Sequence, residues 1–434
     1  MHAKRLFTGL RAVSLVLAAV LFLTSAWAAD HQTVLYSFSN HPDAATPVGS
    51  LIMDAAGNLY GATNSGGIYC PPFFGCGTVF KLSRAQTGWT ETVLYSFGNG
   101  NDGVGPTGSL IMDAAGNLYG TTNGGGIHGV GTVFELSPSQ DGGWEETVLY
   151  SFDSINDGFD PSGGLIMDAA GNLYGATSNG GTYAEGTVFE LSPSQGGGGW
   201  TETVLYNFGH GTDGAFPVGG LVIDTAGNLY GTTEEGGQGG SYCQSYGCGT
   251  VFELSPSGGG WAETVLHNFN GDDGNQPRAG LAADAAGNLY GTTIQGGPYC
   301  APFGCGTVFE VSPSAGAGWT ETTLYFFTDQ PDGALPDAGV VLDADGNVYG
   351  TTSLGGNENA GIAFEVSPRH GGWTETVLYS FDQITSGFEP QSGLIVGRSG
   401  GLYGAVWSGG AYDFGLVYEL TPPSICAHCV PTEH

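Results

Sequence analysis

Short apolar runs, each bounded by Gly, Asn, Asp, Ser or Pro, recur along the chain from residue 33 onward. One stretch reads GSLIMD (108–113), NLYGTT (117–122), GTVFELS (131–137) and WEETVLYSF (144–152). The runs are rich in Val, Leu, Ile, Tyr, Phe and Thr, and no helical spacing separates them, which predicts four strands in succession. The joint between the first two, Asp-Ala-Ala-Gly-Asn, predicts a tight hairpin in which Gly116 takes a positive φ and Asp113 caps the turn.

The same unit is written seven times. DAAGNLYG stands at 54–61, 113–120 and 168–175, with near-copies at 224–231, 284–291, 343–350 and 397–404. Four antiparallel strands repeated radially predict an all-β fold, a seven-bladed β-propeller. The last unit lacks its fourth strand, and TVLYSF (33–38) at the other end matches the fourth strands of the other units. The N-terminal strand is therefore expected to complete the last blade and close the ring, removing a free sheet edge.

Residues 1–28 are a different text. Lys4, Arg5 and Arg11 precede an apolar run, Ala12 to Leu23, and Ala26-Trp27-Ala28 offers a small-x-small cleavage site. This predicts a secretory signal peptide, with a retained N-terminal anchor as the alternative. The propeller then spans 29–423, a short tail spans 424–434, and no later run is long enough to cross a membrane. Losing the leader removes three of the 8 basic residues and none of the 41 acidic ones. So acidic a surface repels nucleic acid and favours a soluble monomer. The 80 glycines are periodic rather than clustered, and mark turns and close backbone approaches instead of disorder.

Eight cysteines fall in four close pairs: Cys70/Cys76, Cys243/Cys248, Cys300/Cys305 and Cys426/Cys429. In an exported chain such pairs predict disulfides that pin loops. A four-cysteine zinc site between the fourth and fifth units is the weaker alternative, and the Cys426/Cys429 pair is open to either a small disulfide ring or free thiols.

Alternating strand direction sorts the loops. First-to-second and third-to-fourth connections are uniform and share one face. Second-to-third loops and the crossings between units share the other, and carry what varies. There lie Tyr69, Phe73, Phe74, Tyr242, Tyr246, Tyr299 and Phe303 beside the cysteines, and an Asp-Gly…Pro motif at Asp102, Asp157, Asp213, Asp273 and Asp332. The first and seventh copies depart from it, at Asp43-Ala44 and Ser386. These carboxylates read as side chains capping a turn, or as a cation or ligand ring at the channel mouth. Asp343-Ala344-Asp345-Gly346-Asn347 resembles the start of a calcium loop but aligns with a plain hairpin. Glu91, Glu146, Glu202, Glu263, Glu321 and Glu375, two residues after each strand-opening Trp, read as solvated acids of the outermost strand, and the Tyr and Phe of the LYSF runs as core.

Little in the chain reads as catalytic. The histidines, His267 among them, sit at unrelated repeat positions without recurring acidic, Ser or Cys partners, and no nucleophile elbow or phosphate loop is visible. Residues that break the symmetry include His128, Glu185, Glu234, Glu235, Arg278 and Arg398, the two arginines reading as partners of nearby acids.

The unit G-[LS]-[LI]-x-x-D-A-A-G-N-L-Y-G-[AT]-T-x-x-G-G…G-T-V-F-E-L-S-P resembles the GloVer tandem repeat of exported bacterial choice-of-anchor proteins, over nearly all of 33–421. The resemblance implies a secreted or surface-tethered propeller and brings no catalytic residues with it. The expected function is a non-enzymatic extracellular binding scaffold without a cofactor, calcium at the acidic turns being the one exception considered. Its partner would be a glycan, a peptide or a cation-bridged polymer. The alternatives are a lyase or glycosidase with carboxylates at the channel mouth, and a structural envelope component.

Overall fold

The computed structural model of the protein describes residues 32–421 apart from 71–74, 154–155, 195, 197, 239–242, 244–245, 315, 317 and 370. The leader, the tail with Cys426/Cys429, and Phe73, Phe74 and Tyr242 lie outside the described residues.

Seven antiparallel sheets, each with the four predicted strands, follow one another along the chain. In the second blade these are Ile111–Met112, Leu118–Gly125, Thr132–Pro138 and Trp144–Ser151, counted outward from the channel. The seventh blade is made from both ends of the chain. Ile395–Val396, Leu402–Val406 and Leu416–Leu420 are joined by Gln32–Ser37, which runs antiparallel to Leu416–Leu420 with Gln32 opposite Leu420 and Ser37 opposite Leu416. The ring is closed as the partial end units predict.

The core is a set of seven apolar clusters, one between each pair of neighbouring blades. At the centre of each, the last aromatic of an LYSF run meets a ring on the third strand of the next blade. Phe38–Phe80, Phe97–Phe134, Phe152–Phe189, Phe208–Phe252, Phe269–Phe309, Phe327–Phe364 and Phe381–Tyr418 are edge-to-face pairs with centroids 4.9 to 5.2 Å apart. Such a pair contributes about 0.5–1.5 kcal/mol beyond the area it buries. Trp89, Trp144, Trp200, Trp261, Trp319 and Trp373 lie against the same clusters at their outer edge.

In six of the seven blades the hairpin between first and second strands is held by its aspartate, Gly397 standing in that place in the seventh. Asp113 Oδ1 accepts from the backbone N–H groups of Ala115 and Asn117 at 2.9 and 2.8 Å, while Oδ2 takes the Asn117 amide and the Tyr119 hydroxyl. Gly116, with φ +88°, makes the turn that an L side chain would strain. Asp343 does the same at the segment resembling a calcium loop, which is therefore a hairpin. Burial raises the pKa of equivalent carboxyls such as Asp168 and Asp224, but the hydrogen bonds they accept outweigh it and hold them below the usual range.

Around the channel the first strands touch backbone to backbone. A Cβ on Gly108 would stand 2.5 Å from the Gly163 carbonyl oxygen, and one on Gly163 would stand 2.6 Å from that of Gly219. Glycine at this place in the first four blades permits so close an approach, while Ala279, Ala338 and Ser392 stand there in the other three.

Candidate functional site

The channel has a volume of about 340 Å³ and is walled mostly by Gly, Ser and Ala, with Leu and Val among them, from all seven blades; of the residues lining it, Asp337 alone is acidic. It is the residue after the crossing proline, rather than the Asp-Gly carboxylate before it, that faces the channel: Thr107, Ser162, Val218, Asp337 and Gln391 occupy this place. Burial pushes the Asp337 carboxyl up to about 6; nearby Arg278 pulls it down and Glu234 raises it. Arg278 makes an ion pair with Glu234, as its sign suggested.

Asp102, Asp157, Asp213 and Asp332 are buried and cap the crossings. Each accepts a hydrogen bond from a fourth-strand tyrosine seven residues earlier: Tyr95, Tyr150, Tyr206 and Tyr325, at 2.5 to 2.8 Å. Each also accepts from a backbone N–H four residues earlier. Asp43, in the divergent first copy, does the same with Tyr36 and Ser39. The turn-capping reading describes these residues; they do not form a ring at the channel mouth.

The glutamates after the tryptophans are a correction to the sequence reading. They are half-buried rather than solvated, because the fourth strand of each blade turns this side toward the preceding blade and its crossing. One carboxylate oxygen of Glu91, Glu146, Glu202, Glu263 and Glu375 is buried without a hydrogen-bond partner among the described residues. Burial first, and then the neighbouring crossing aspartate, raise Glu91, Glu146, Glu202 and Glu263 to about 7 and Glu375 to about 8. Five of the seven interfaces thus hold a Tyr–Asp–Glu set.

Two interfaces differ: between the sixth and seventh blades Ser386 and Gln32 replace the aspartate and the glutamate, and the Gln32 amide donates to the Ser386 carbonyl at 3.1 Å. Between the fourth and fifth blades His267 stands in the tyrosine's place, with Nε2 3.2 Å from Asp273 Oδ2 and Glu321 beside it. Glu321 went unseen as a partner of the histidine because it is 54 positions away in the sequence. The signal was there: aligning the repeats sets LHNF (266–269) against LYSF, LYNF or LYFF everywhere else.

Cys70–Cys76, Cys243–Cys248 and Cys300–Cys305 are disulfide-bonded. Their second cysteines are buried in the interblade clusters, so each loop is tied to the core at its base. The loop tips are open: Tyr246 is 72% and Phe303 64% exposed, and Tyr69 and Tyr299 are exposed too. Loops without cysteines carry apolar tips that the sequence reading passed over, namely Ile127, Tyr183 and Tyr412, with Ile68 beside Tyr69 and Ile384 on the last crossing. Nine of the twelve large apolar side chains exposed among the described residues therefore stand on one rim. Between the third and fourth blades this rim opens into a crevice of about 320 Å³, with Glu185, Glu235, Phe216 and Tyr246 in its wall. Burial raises Glu235 above the usual carboxyl range, with Glu234 and Glu185 adding to the effect and Arg278 opposing it.

A closed ring of seven blades, with disulfide-anchored loops presenting apolar tips on one face, defines a β-propeller repeat protein of an oxidising environment. The chain belongs to the Gloeobacter/Verrucomicrobia repeat family, whose profile matches residues 21–243 and 238–428. No curated protein sequence matches it. Among solved structures it is similar to a provisionally assigned 6-phosphogluconolactonase from Bacteroides fragilis, at 17% identity over 83% of this chain and 86% of that one, with a TM-score of 0.49. A second protein so assigned, from Bacteroides uniformis, is 14% identical over 75% and 83% of the two chains, with a TM-score of 0.47. A protein of unknown function from Dyadobacter fermentans is 13% identical over 90% and 98%, with a TM-score of 0.41.

Proposed function

We propose that this chain is an exported, non-enzymatic binding scaffold that takes an extracellular carbohydrate polymer across the loop rim. The observation that carries this reading is the gathering of exposed apolar tips, mostly aromatic, onto one face, six of the seven second-to-third-strand loops supplying at least one. Aromatic faces stack on the C–H faces of sugar rings and keep one polar edge wet, and a soluble protein does not otherwise collect such groups on one side. Carboxylates beside them, Glu185 and Glu235 in the crevice with Tyr246, supply hydrogen-bond acceptors for sugar hydroxyls. A surface with five basic residues against 41 acidic ones disfavours anionic polymers and leaves neutral or cationic glycans.

The test is retention on insoluble chitin, cellulose and peptidoglycan, with soluble oligosaccharide as competitor. Tyr246→Ala, Tyr299→Ala and Phe303→Ala together are expected to reduce retention at least tenfold while leaving the thermal transition in place. Retention unchanged in the triple variant, or absent on every polymer, refutes the proposal.

A further inference from the structure

We infer that His267, Asp273 and Glu321 form a binding site for a divalent first-row transition metal of the zinc type, clamping the fourth blade to the fifth. One ligand atom from each, an imidazole nitrogen and two carboxylate oxygens, lies within 4.8 Å of the other two, the one three-ligand group of this kind among the described residues. Metal bonds of about 2.0–2.2 Å set ligand atoms about 3–3.5 Å apart, so side-chain adjustments of about 1 Å close the site.

The three ligands come from three separate segments. His267 is on the strand Gly260–Asn268, Asp273 on the following crossing, and Glu321 on the strand Gly318–Phe326 of the next blade. Each is held by a neighbour that would orient it toward an ion. The His267 ring stands edge-on to Phe269 at 4.8 Å. Asn270 donates to Asp273 from its side chain at 2.6 Å and from its backbone at 3.0 Å, and the Thr323 hydroxyl donates to Glu321 Oε1 at 2.9 Å. Side-chain exposures of 19% for His267 and 17% for Asp273 leave an opening for water in the remaining coordination positions.

The five tyrosine interfaces show what the substitution changes. There the phenol hydroxyl donates a hydrogen bond to the aspartate, and the neighbouring glutamate is left with a buried oxygen that has no hydrogen-bond partner among the described residues. A phenol at that position gives no ligand set. Imidazole does. The Glu321 oxygen is not orphaned here because the Thr323 hydroxyl, at a position held by valine in the five sibling interfaces, donates to it. Imidazole with two carboxylates suits zinc, cobalt or manganese, whereas calcium prefers oxygen ligands throughout.

The experiment is zinc titration of the folded full-length chain by calorimetry and thermal shift, in a background carrying Cys426→Ser and Cys429→Ser so that the tail's thiols cannot take the ion. The key variant is His267→Tyr, which restores the side chain that five sibling interfaces already accommodate. The expected result is one zinc per chain and a rise in Tm, with affinity lowered at least 100-fold in His267→Tyr and at least tenfold in Glu321→Gln. Absence of saturable uptake, or equal uptake by His267→Tyr, overturns the inference. Should His267→Tyr not fold, the Glu321→Gln comparison decides in the same way.

Discussion

Removing the interblade glutamates' charge makes the propeller more stable at neutral and alkaline pH, and leaves it unchanged in acid. Glu91, Glu146, Glu202 and Glu263 have an ordinary pKa of 4.5 raised to about 7, first by burial and then by the neighbouring aspartate. Below pH 4.5 the carboxyl is protonated in both folded and unfolded chains and has no effect. Between 4.5 and 7 the folded chain holds a proton that the unfolded chain has released, so stability falls as pH rises, and levels off above 7. The full shift corresponds to about 3 kcal/mol per group. The carboxyls are only half-buried, and solvent screening reduces this to about 1 kcal/mol each. The four stand at different interfaces and their effects add. The quadruple Glu→Gln variant therefore gains about 4 kcal/mol at pH 8, about 5 °C in Tm for a chain of this length, and next to nothing at pH 4. Calorimetry of both proteins from pH 4 to 9 measures it. A gain that does not depend on pH, or a loss of stability at pH 8, refutes the reasoning.

Three further outcomes follow from individual contacts. Tyr418 occupies a place held by phenylalanine in the six other blades, and its buried hydroxyl has no partner among the described residues; Tyr418→Phe raises stability by about 1–2 kcal/mol, read from denaturant midpoints. Gly163→Ala sets a methyl 2.6 Å from the Gly219 carbonyl oxygen and lowers stability by about 1–3 kcal/mol, with a corresponding fall in Tm. Replacing Cys300 and Cys305 by Ser releases a short loop, costs about 2 kcal/mol, and raises protease cleavage between residues 298 and 304.

How far the sequence carried the reading depended on whether a feature repeats. The hairpin aspartates, the LYSF aromatics and the shared seventh blade were legible because each is local or is copied several times. The glutamate environment was not. Strand alternation says that Glu202 points opposite to Thr201, but not that Tyr150 and Asp157 of the previous blade cover that side. The His267 cluster was hidden for a related reason, since strand, crossing and next blade come together only when the ring forms. The channel-facing residues were displaced by a few positions: the Asp-Gly turn attracted attention, while Asp337 and its counterparts sit just beyond the proline. Hydrophobic tips on loops lacking cysteines, such as Ile127 and Tyr412, look like ordinary isolated residues until the loops are seen to share a rim.

Pairing of Gln32–Ser37 with Leu416–Leu420 also dictates when this molecule can become complete. The strand Gln32–Ser37 has no partner until Leu416–Leu420 has followed it out of the ribosome. Nascent chains can assemble the six contiguous blades in order, but every one of them carries an unsealed seam. A premature stop anywhere before residue 416 leaves that seam permanently open, with Leu35 and Phe38 lacking their cover. Only a chain that has reached residue 420 can lock itself.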